Sequence, residues 1–265
     1  MGRSLTRAAL ALISNLCIAG AVVMLFLLLL AGSRHHNPLD EIFFLQADTR
    51  GIPGAPDGIA HWTLYNVCNS RNGRNIDCGA TQAAYPFDPV RNFGTTQNVP
   101  QSFIDSPRKY FYLSRFLYAI YIVDLFFACS ALLFGLWAIF HRYGGYLSSL
   151  LSFLATFFAA FNAAVLTACF VMGQRAFRDA GRFARVGVKA FAFTWTILAL
   201  LSLASLAYFL SARVGKKDRE EGITEEHTRR KRRGFSRLGG VRGSWQDEEY
   251  GSEKRLGKRR ESGDS

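Results

Sequence analysis

Apolar residues in this chain are gathered into four long blocks separated by polar segments. The blocks run from about residue 8 to 31, 116 to 140, 147 to 172 and 187 to 211. Each is near or above the roughly 20 residues with which a helix crosses about 30 Å of hydrocarbon. We therefore predict an all-α membrane protein built on a bundle of four transmembrane helices.

The first block also has features of a cleaved signal peptide. Arg3 and Arg7 precede it, and Ala31-Gly32-Ser33 follows it as a small-residue site. The apolar core of a signal peptide usually has roughly 7 to 15 residues, and this run is longer. The length favours a retained transmembrane helix.

The polar segments divide the rest of the chain. Residues 1–7 form the amino terminus, 32–115 a first outer loop, 141–146 a short turn, 173–186 a second outer loop and 212–265 a tail. Four crossings place both termini on one side. Charges alone do not settle which side is cytoplasmic, because basic residues lie both near the termini and around the short second loop, on opposite sides of the membrane. Those around the second loop are Arg175, Arg178, Arg182, Arg185 and Lys189.

Two cysteines in the first loop give a second indication of orientation. Cys68 and Cys78 are surrounded by turn-forming Asn and Gly residues, which favours a disulfide-closed loop over a zinc site or two free, buried thiols. A disulfide persists in an oxidising compartment. We therefore predict that the first loop lies outside the cell or in the secretory lumen, with both termini in the cytoplasm. The adjacent His35 and His36 lack further ligands for a metal ion.

The first loop also has local signs of β structure and turns. Residues 39–45 alternate polar and apolar positions, as in a short strand or a surface segment, and residues 62–67 have strand character. Gly and Pro between positions 51 and 58 force turns. The prediction is a disulfide-bearing loop subdomain with short strands.

Two polar residues lie inside the predicted helices. Asp124 is roughly 12 Å and Asn162 about 15 Å below the outer ends of their helices at 1.5 Å per residue. A carboxyl group at such depth is costly, so an ion or proton pathway is one hypothesis. A direct Asp124–Asn162 hydrogen bond that joins the helices is the preferred interpretation.

The third block repeats small residues at every fourth position, which lets helices approach closely. One row contains Ser152, Thr156, Ala160, Ala164 and Ala168, with Ala155, Ala159, Ala163 and Thr167 alongside. This pattern predicts a packing face within the bundle, with self-association as the alternative.

The chain has a net charge of +12, and its tail mixes both signs without an apolar run, a composition typical of disorder. The densest basic run consists of Arg229, Arg230, Lys231, Arg232 and Arg233. Contact with anionic inner-leaflet lipids and a solvated tail are both open interpretations. Nucleic-acid binding is disfavoured because the chain is anchored in a membrane. No Ser/His/Asp, metal or phosphate-loop pattern appears, so we expect neither an enzyme nor a cofactor.

Three sequence features together resemble the fungal Sur/PalI group of four-span plasma-membrane proteins, and within it the eisosome-associated Sur-seven type. They are Trp62 followed by Cys68 and Cys78, the segment with Tyr85, Pro86, Phe87, Asp88, Pro89, Asn92 and Phe93, and the stretch Lys189-Ala-Phe-Ala-Phe-Thr-Trp195 at the fourth block. The layout is also similar to that of claudins, but Thr63-Leu64-Tyr65 stands where claudins have Gly-Leu-Trp, so barrier function is not implied.

The resemblance implies a non-enzymatic organiser of static plasma-membrane domains that affects endocytosis, the cell wall and stress tolerance. Its implied partners are the lipid bilayer, cortical scaffold proteins and further copies of the chain. A PalI-type role in ambient-pH signalling is the first alternative. A transporter or channel accessory subunit is the second, and the single intramembrane acid counts against it.

Overall fold

The computed structural model describes residues 2–33, 38–137, 142–211 and 213. The histidine pair at 35–36 and the tail, with its basic run at 229–233, lie outside these ranges. In chain order the elements are α1 (Gly2–Leu30), a 3-10 turn (Leu39–Glu41), β1 (Leu45–Asp48), β2 (Ile59–Trp62), β3 (Val67–Arg71), β4 (Arg74–Ile76), α2 (Pro89–Phe93), α3 (Gln101–Asp105), α4 (Pro107–Trp137), α5 (Arg142–Asp179), β5 (Ala184–Val186) and α6 (Val188–Ser211).

Four of these helices are long and apolar enough to cross a membrane, which confirms the four-span prediction. The spans are Ala9–Leu30 within α1, all of α4, Gly144–Asp179 within α5, and α6. Many of their large apolar side chains are exposed, as expected for surfaces in contact with lipid; examples are Leu16, Phe126, Leu133, Phe153 and Leu206. The opposite side of α1 is fully buried in the core at Ile18, Ala21, Leu25 and Leu28.

Helices α4 and α5 are longer than a bilayer requires. They contain 31 and 38 residues, or about 46 and 57 Å at 1.5 Å per residue, against about 30 Å of hydrocarbon. Helix α4 begins at Pro107, within the stretch that the sequence assigned to the first loop. The additional turns carry Tyr110, Ser114 and Phe177, which are buried. These turns extend the bundle into the folded loops.

Small residues line the buried face of α5, and they form one row rather than two. Ala155, Ala159 and Ala163 are buried, which confirms the predicted packing face for their row; of the other row, Ser152 is also buried. The neighbouring alanines of the other predicted row, at positions 160, 164 and 168, are exposed. Each residue turns a helix by about 100°, so rows one residue apart point in different directions.

The predicted hydrogen bond between Asp124 and Asn162 is wrong. Both side chains are 1 % exposed, yet neither carboxylate oxygen of Asp124 and neither amide atom of Asn162 has a hydrogen-bond partner among the described residues. The rise per residue fixes the depth of a side chain but not its direction around the helix axis, and a hydrogen bond needs both. One turn from Asp124, the Tyr121 hydroxyl instead bonds Thr194 of α6 at 2.7 Å.

The segments that join α1 to α4 and α5 to α6 fold into one antiparallel sheet with the strand order β4-β3-β2-β1-β5. In its centre Leu45 of β1 is paired with Trp62 of β2 and with Val186 of β5. The sheet confirms the predicted short β structure in the first loop, whereas β5 was not predicted. We call residues 38–106 together with residues 180–187 the loop subdomain.

Strand character was predicted through residues 62–67, but this segment is a turn. Trp62 ends β2 and Val67 begins β3. Between them the Thr63 hydroxyl accepts hydrogen bonds from the backbone N–H groups of Tyr65 at 3.2 Å and Asn66 at 3.1 Å. The prediction was wrong because a threonine hydroxyl can bond nearby backbone in place of a strand partner.

Cys68 and Cys78 form the predicted disulfide, with their Cα atoms 3.9 Å apart. Cys68 lies on β3, and Cys78 lies two residues after the end of β4. The bridge therefore ties the chain that leaves the β3–β4 hairpin to strand β3. Cys17, Cys129 and Cys169 are free and lie in the long helices.

Candidate functional site

The indole of Trp62 is the centre of the contact between the sheet and the helices. It is 1 % exposed, because the rings of Phe87, Phe93 and Phe177 surround it at centroid distances of 5.5, 6.0 and 5.7 Å. Its Nε1–H donates a hydrogen bond to Asn92 Oδ1 at 3.1 Å. A buried indole N–H needs such a partner, so Asn92 fixes the orientation of the ring.

The segment from Tyr85 to Phe93 is shaped by its polar residues. Asp88 caps the short helix α2 by accepting a hydrogen bond from Arg91 N, and Pro89 occupies the first turn, where its missing N–H costs nothing. Asn92 closes the segment on itself: its Nδ2 donates to Pro86 O at 3.1 Å, and its Oδ1 also accepts from Asp88 N at 3.3 Å. The predicted loop motif therefore forms one folded unit around Trp62.

Phe87 connects this unit to the transmembrane helices. Its ring is 2 % exposed and lies 5.8 Å from Tyr110 of α4 and 5.3 Å from Phe170 of α5. Its backbone N–H donates to Ser114 Oγ at 2.8 Å. Gly173 provides the space for the ring, since a Cβ there would lie 2.5 Å from Phe87 Cε1. We call Trp62, Phe87 and their ring neighbours the aromatic junction; the neighbours are Phe93, Phe103, Tyr110, Phe170 and Phe177.

Two side chains of the motif segment have raised pKa values. Burial raises the pKa of the Asp88 carboxyl group, although the backbone hydrogen bond and the positive charge of Arg91 act in the opposite direction. Arg91 Nε lies 3.3 Å from Asp88 Oδ2 in an ion pair in which the arginine side chain is exposed and the carboxylate is buried. Burial likewise raises the pKa of the Tyr85 hydroxyl, and Tyr85 N donates to Leu64 O at 2.9 Å.

His61 of β2 forms a buried polar contact within the loop subdomain. It is fully buried and stacks on Phe43 at 3.9 Å. Its Nδ1 lies 2.7 Å from Asn75 Oδ1, and its Nε2 lies 3.2 Å from Gln46 Oε1. Because Asn75 Nδ2 donates to Ile42 O, the Asn75 oxygen is fixed as acceptor and His61 Nδ1 carries a proton. Burial lowers the pKa of His61, although the bond to Asn75 raises it.

The loop subdomain is attached to all four long helices. At the end of α1, Gly32 O accepts from Asn66 Nδ2 at 3.2 Å. The aromatic junction holds α4 and α5, as described above. Before α6, Gly187 N donates to Phe44 O at 2.9 Å, and Lys189 of α6 forms an ion pair with Glu41 that lowers the pKa of the Glu41 carboxyl group. The two loops and four helices thus form one connected body.

The other predicted site residues lie elsewhere. Asp124 and Asn162 are inside the helix bundle, apart from the aromatic junction, and the basic run at 229–233 lies outside the described residues. Within the described ranges, no group of three or more His, Cys, Asp or Glu side chains is placed to hold a metal ion. The arrangement that the loop motif builds is a packed structural junction.

Comparison with known proteins identifies the family. Residues 10–207 match the SUR7/PalI family model. The SUR7 family protein FMP45 of Saccharomyces cerevisiae is 39 % identical, over 70 % of this chain and 60 % of that relative. Protein SUR7 of Candida albicans is 34 % identical, over 72 % of this chain and 70 % of the relative. The plasma-membrane protein YNL194C of Saccharomyces cerevisiae is 30 % identical, over 76 % and 67 %.

The family match and the structure agree on the same part of the chain. The matched residues 10–207 include the loop subdomain and nearly all of the four membrane-length helices. FMP45 and the Candida albicans protein SUR7 match 70 % and 72 % of this chain, and both are named as SUR7 proteins. The chain is a membrane protein that belongs to the SUR7/PalI family.

Proposed function

We propose that this protein is a non-enzymatic organiser of static, eisosome-type domains of the plasma membrane, and that it thereby affects endocytosis, the cell wall and stress tolerance. Family membership supports the proposal, together with the plasma-membrane location of the relative YNL194C. The observation that carries it is the aromatic junction, which packs the first loop against α4 and α5. A protein that holds a membrane domain in place must present a fixed surface to its neighbours.

The orientation that fits this function places the loop subdomain outside the cell and both termini in the cytoplasm. The Cys68–Cys78 disulfide supports this orientation, because disulfides persist in oxidising compartments. The cytoplasmic side would then carry the long tail, with its net positive charge near the anionic inner leaflet.

The proposed partners follow from the same orientation. The tail would contact inner-leaflet lipids and cortical scaffold proteins, and further copies of the chain would assemble in the bilayer plane. The exposed alanines of α5 at positions 160, 164 and 168 offer a close-approach face for such a copy.

Imaging of a fluorescently tagged, natively expressed chain tests the proposal. We expect immobile cortical patches with slow recovery after photobleaching. Cys68→Ser/Cys78→Ser should disperse the patches because the β3–β4 hairpin loses its bridge, whereas the matched control Cys129→Ser changes a free, half-buried thiol and should leave them intact. A uniform, freely recovering signal from the unaltered chain would contradict the proposal.

His61 gives a specific reason to keep PalI-type pH signalling as a second candidate. A buried imidazole with a lowered pKa stays neutral until the solution becomes acidic. Protonation at Nε2 would then place a positive charge and a new N–H donor beside Gln46 Oε1 in the interior of the loop subdomain. A pH-signalling role predicts that His61→Gln abolishes an acid- or alkali-dependent response in cells while cortical patches persist. A response that survives the substitution would remove this candidate.

A further inference from the structure

A cluster of positive charge lies where the loop subdomain meets α4. The guanidinium carbon of Arg91, in α2, is 4.5 Å from the centre of the Phe111 ring, and that of Arg115, in α4, is 5.1 Å from the same ring. Arg108 shares this face of α4, because positions 108, 111 and 115 are three and four residues apart. We call these four residues the Phe111 cluster.

The charges of the Phe111 cluster are largely unbalanced. Arg91 is paired with the buried carboxylate of Asp88. Neither Arg108 nor Arg115 forms an ion pair with any carboxylate in the described part of the chain. Two guanidinium groups thus lie on the Phe111 ring beside the one carboxylate of Asp88. Arg108 adds a third positive charge on the same face of α4, and all three arginines are exposed. Two cations against one aromatic ring form a site that attracts an anion.

The depth of the cluster places it at a membrane surface. Helix α4 is about 46 Å long, so roughly 16 Å of it extends beyond the hydrocarbon. Its apolar block starts at residue 116, immediately after Arg115. On either side of Arg115 in sequence, Tyr112 and Phe116 are 64 % and 55 % exposed. Arginine next to exposed aromatic side chains is typical of the boundary between lipid tails and headgroups.

We propose that the Phe111 cluster binds the phosphodiester of an anionic phospholipid in the leaflet on the side of the loop subdomain. The forked donors of arginine match phosphate oxygens, and the Phe111 ring holds the two guanidinium groups at one level. Phe116 is exposed at the start of the apolar block, on the hydrocarbon side of Arg115, where the acyl chains of that lipid would pass. This position distinguishes a lipid site from a site for a free anion. This inference does not depend on the proposed function.

One arginine of the Phe111 cluster comes from the loop motif, which therefore has a second proposed role in binding lipid. Arg91 belongs to the Tyr85–Phe93 segment, and the Asp88 cap holds it over α4. The same segment that packs Phe87 into the aromatic junction therefore supplies one of the lipid-binding arginines. A bound lipid would connect α2 to α4 at the membrane surface.

Native mass spectrometry of the full chain, purified in a neutral detergent and titrated with phosphatidylglycerol, tests the proposal. Arg91→Gln/Arg115→Gln should weaken binding by about 10- to 30-fold, since each basic residue contributes about fivefold near an anionic surface. The control Arg71→Gln/Arg185→Gln removes two charges from exposed strand positions and should bind as the unaltered chain does. Equal binding by the two double variants would overturn the proposal.

Two further probes define the ligand. Phosphatidylcholine has the same phosphate but carries a compensating cation, so it should bind more weakly than phosphatidylglycerol; equal binding would refute recognition of an anionic lipid. Inorganic phosphate at the same concentration should not displace phosphatidylglycerol, and displacement would indicate a free-anion site instead.

The fold of each variant is checked by formation of the Cys68–Cys78 disulfide and by thermal unfolding. If the double variant does not fold, a single substitution still tests the proposal. Arg115 is exposed and forms no ion pair with a described carboxylate, so Arg115→Gln should fold normally. It should bind phosphatidylglycerol about fivefold more weakly. Unchanged affinity in a folded Arg115→Gln variant would also overturn the proposal.

Discussion

A methyl group added at Gly173 should destabilise the aromatic junction. The Cβ of an alanine there would lie 2.5 Å from Phe87 Cε1 and 2.6 Å from Cζ, about 1 Å closer than carbon atoms normally approach. The Phe87 ring cannot easily move away, because Phe170 at 5.3 Å, Trp62 at 5.5 Å and Tyr110 at 5.8 Å pack against it. Gly173→Ala therefore forces a side chain into a filled core.

The size of the effect follows from two opposing contributions. Overpacking of a core typically costs about 1 to 3 kcal/mol. Replacing glycine by alanine in a helix interior gains roughly 0.5 to 1 kcal/mol. At the midpoints of these two ranges the free energy of unfolding falls by about 1.3 kcal/mol, which lowers Tm by about 2.5 to 5 °C for a chain of this size.

Thermal unfolding of the purified chain in detergent, followed by tryptophan fluorescence, measures this change. The control is Gly145→Ala in the same helix, where no atom lies within 4 Å of the added Cβ, so that Tm should stay constant or rise. Phe87→Leu makes room for the methyl group and should recover part of the loss when combined with Gly173→Ala. Equal Tm values for the two alanine variants would refute close packing between α5 and Phe87.

Three further predictions concern the loop subdomain. Reduction of the Cys68–Cys78 bridge should lower its stability by about 3 kcal/mol, because a loop with a sequence separation of 10 then regains its freedom in the unfolded chain; an unchanged denaturation midpoint with reductant would contradict this. Stability should fall as the pH decreases below about 6.5, because the pKa of His61 is lowered in the folded state and the unfolded chain takes up the proton first; denaturation of His61→Gln should lack this dependence between pH 5 and 7. Arg182→Ala should cost about 1 to 2 kcal/mol in chemical denaturation, since its guanidinium donates hydrogen bonds to three first-loop carbonyls, whereas the exposed Arg185→Ala should have almost no effect; equal losses would show that this link is unimportant.

Local pattern was sufficient for part of the candidate site. The pairing of Cys68 with Cys78 was predictable because the two residues are close in sequence and only turns separate them. The motif from Tyr85 to Phe93 was recognised only through its resemblance to the Sur/PalI family, and the structure adds that Asp88 caps a short helix within it. What these residues contact could not be predicted, since Trp62, Phe87 and Phe177 come from three distant segments.

The errors have a common physical origin. The depths of Asp124 and Asn162 follow from counting residues, but whether they meet depends on the rotation of two packed helices. The strand β5 has only three residues, and β1 holds it in place through backbone hydrogen bonds that have no sequence signature. The Thr63 turn was missed because its hydroxyl competes with the strand pattern of its neighbours.

The sequence by itself determined the four membrane-length helices and the disulfide loop, because run length and short spacing are properties of contiguous residues. Tertiary structure alone decided that β5 joins the sheet, that Gly173 admits Phe87, and that Arg91 and Arg115 meet at Phe111. Such contacts join residues far apart in the chain. They depend on helix rotation and strand register, which are fixed only when the whole core packs together.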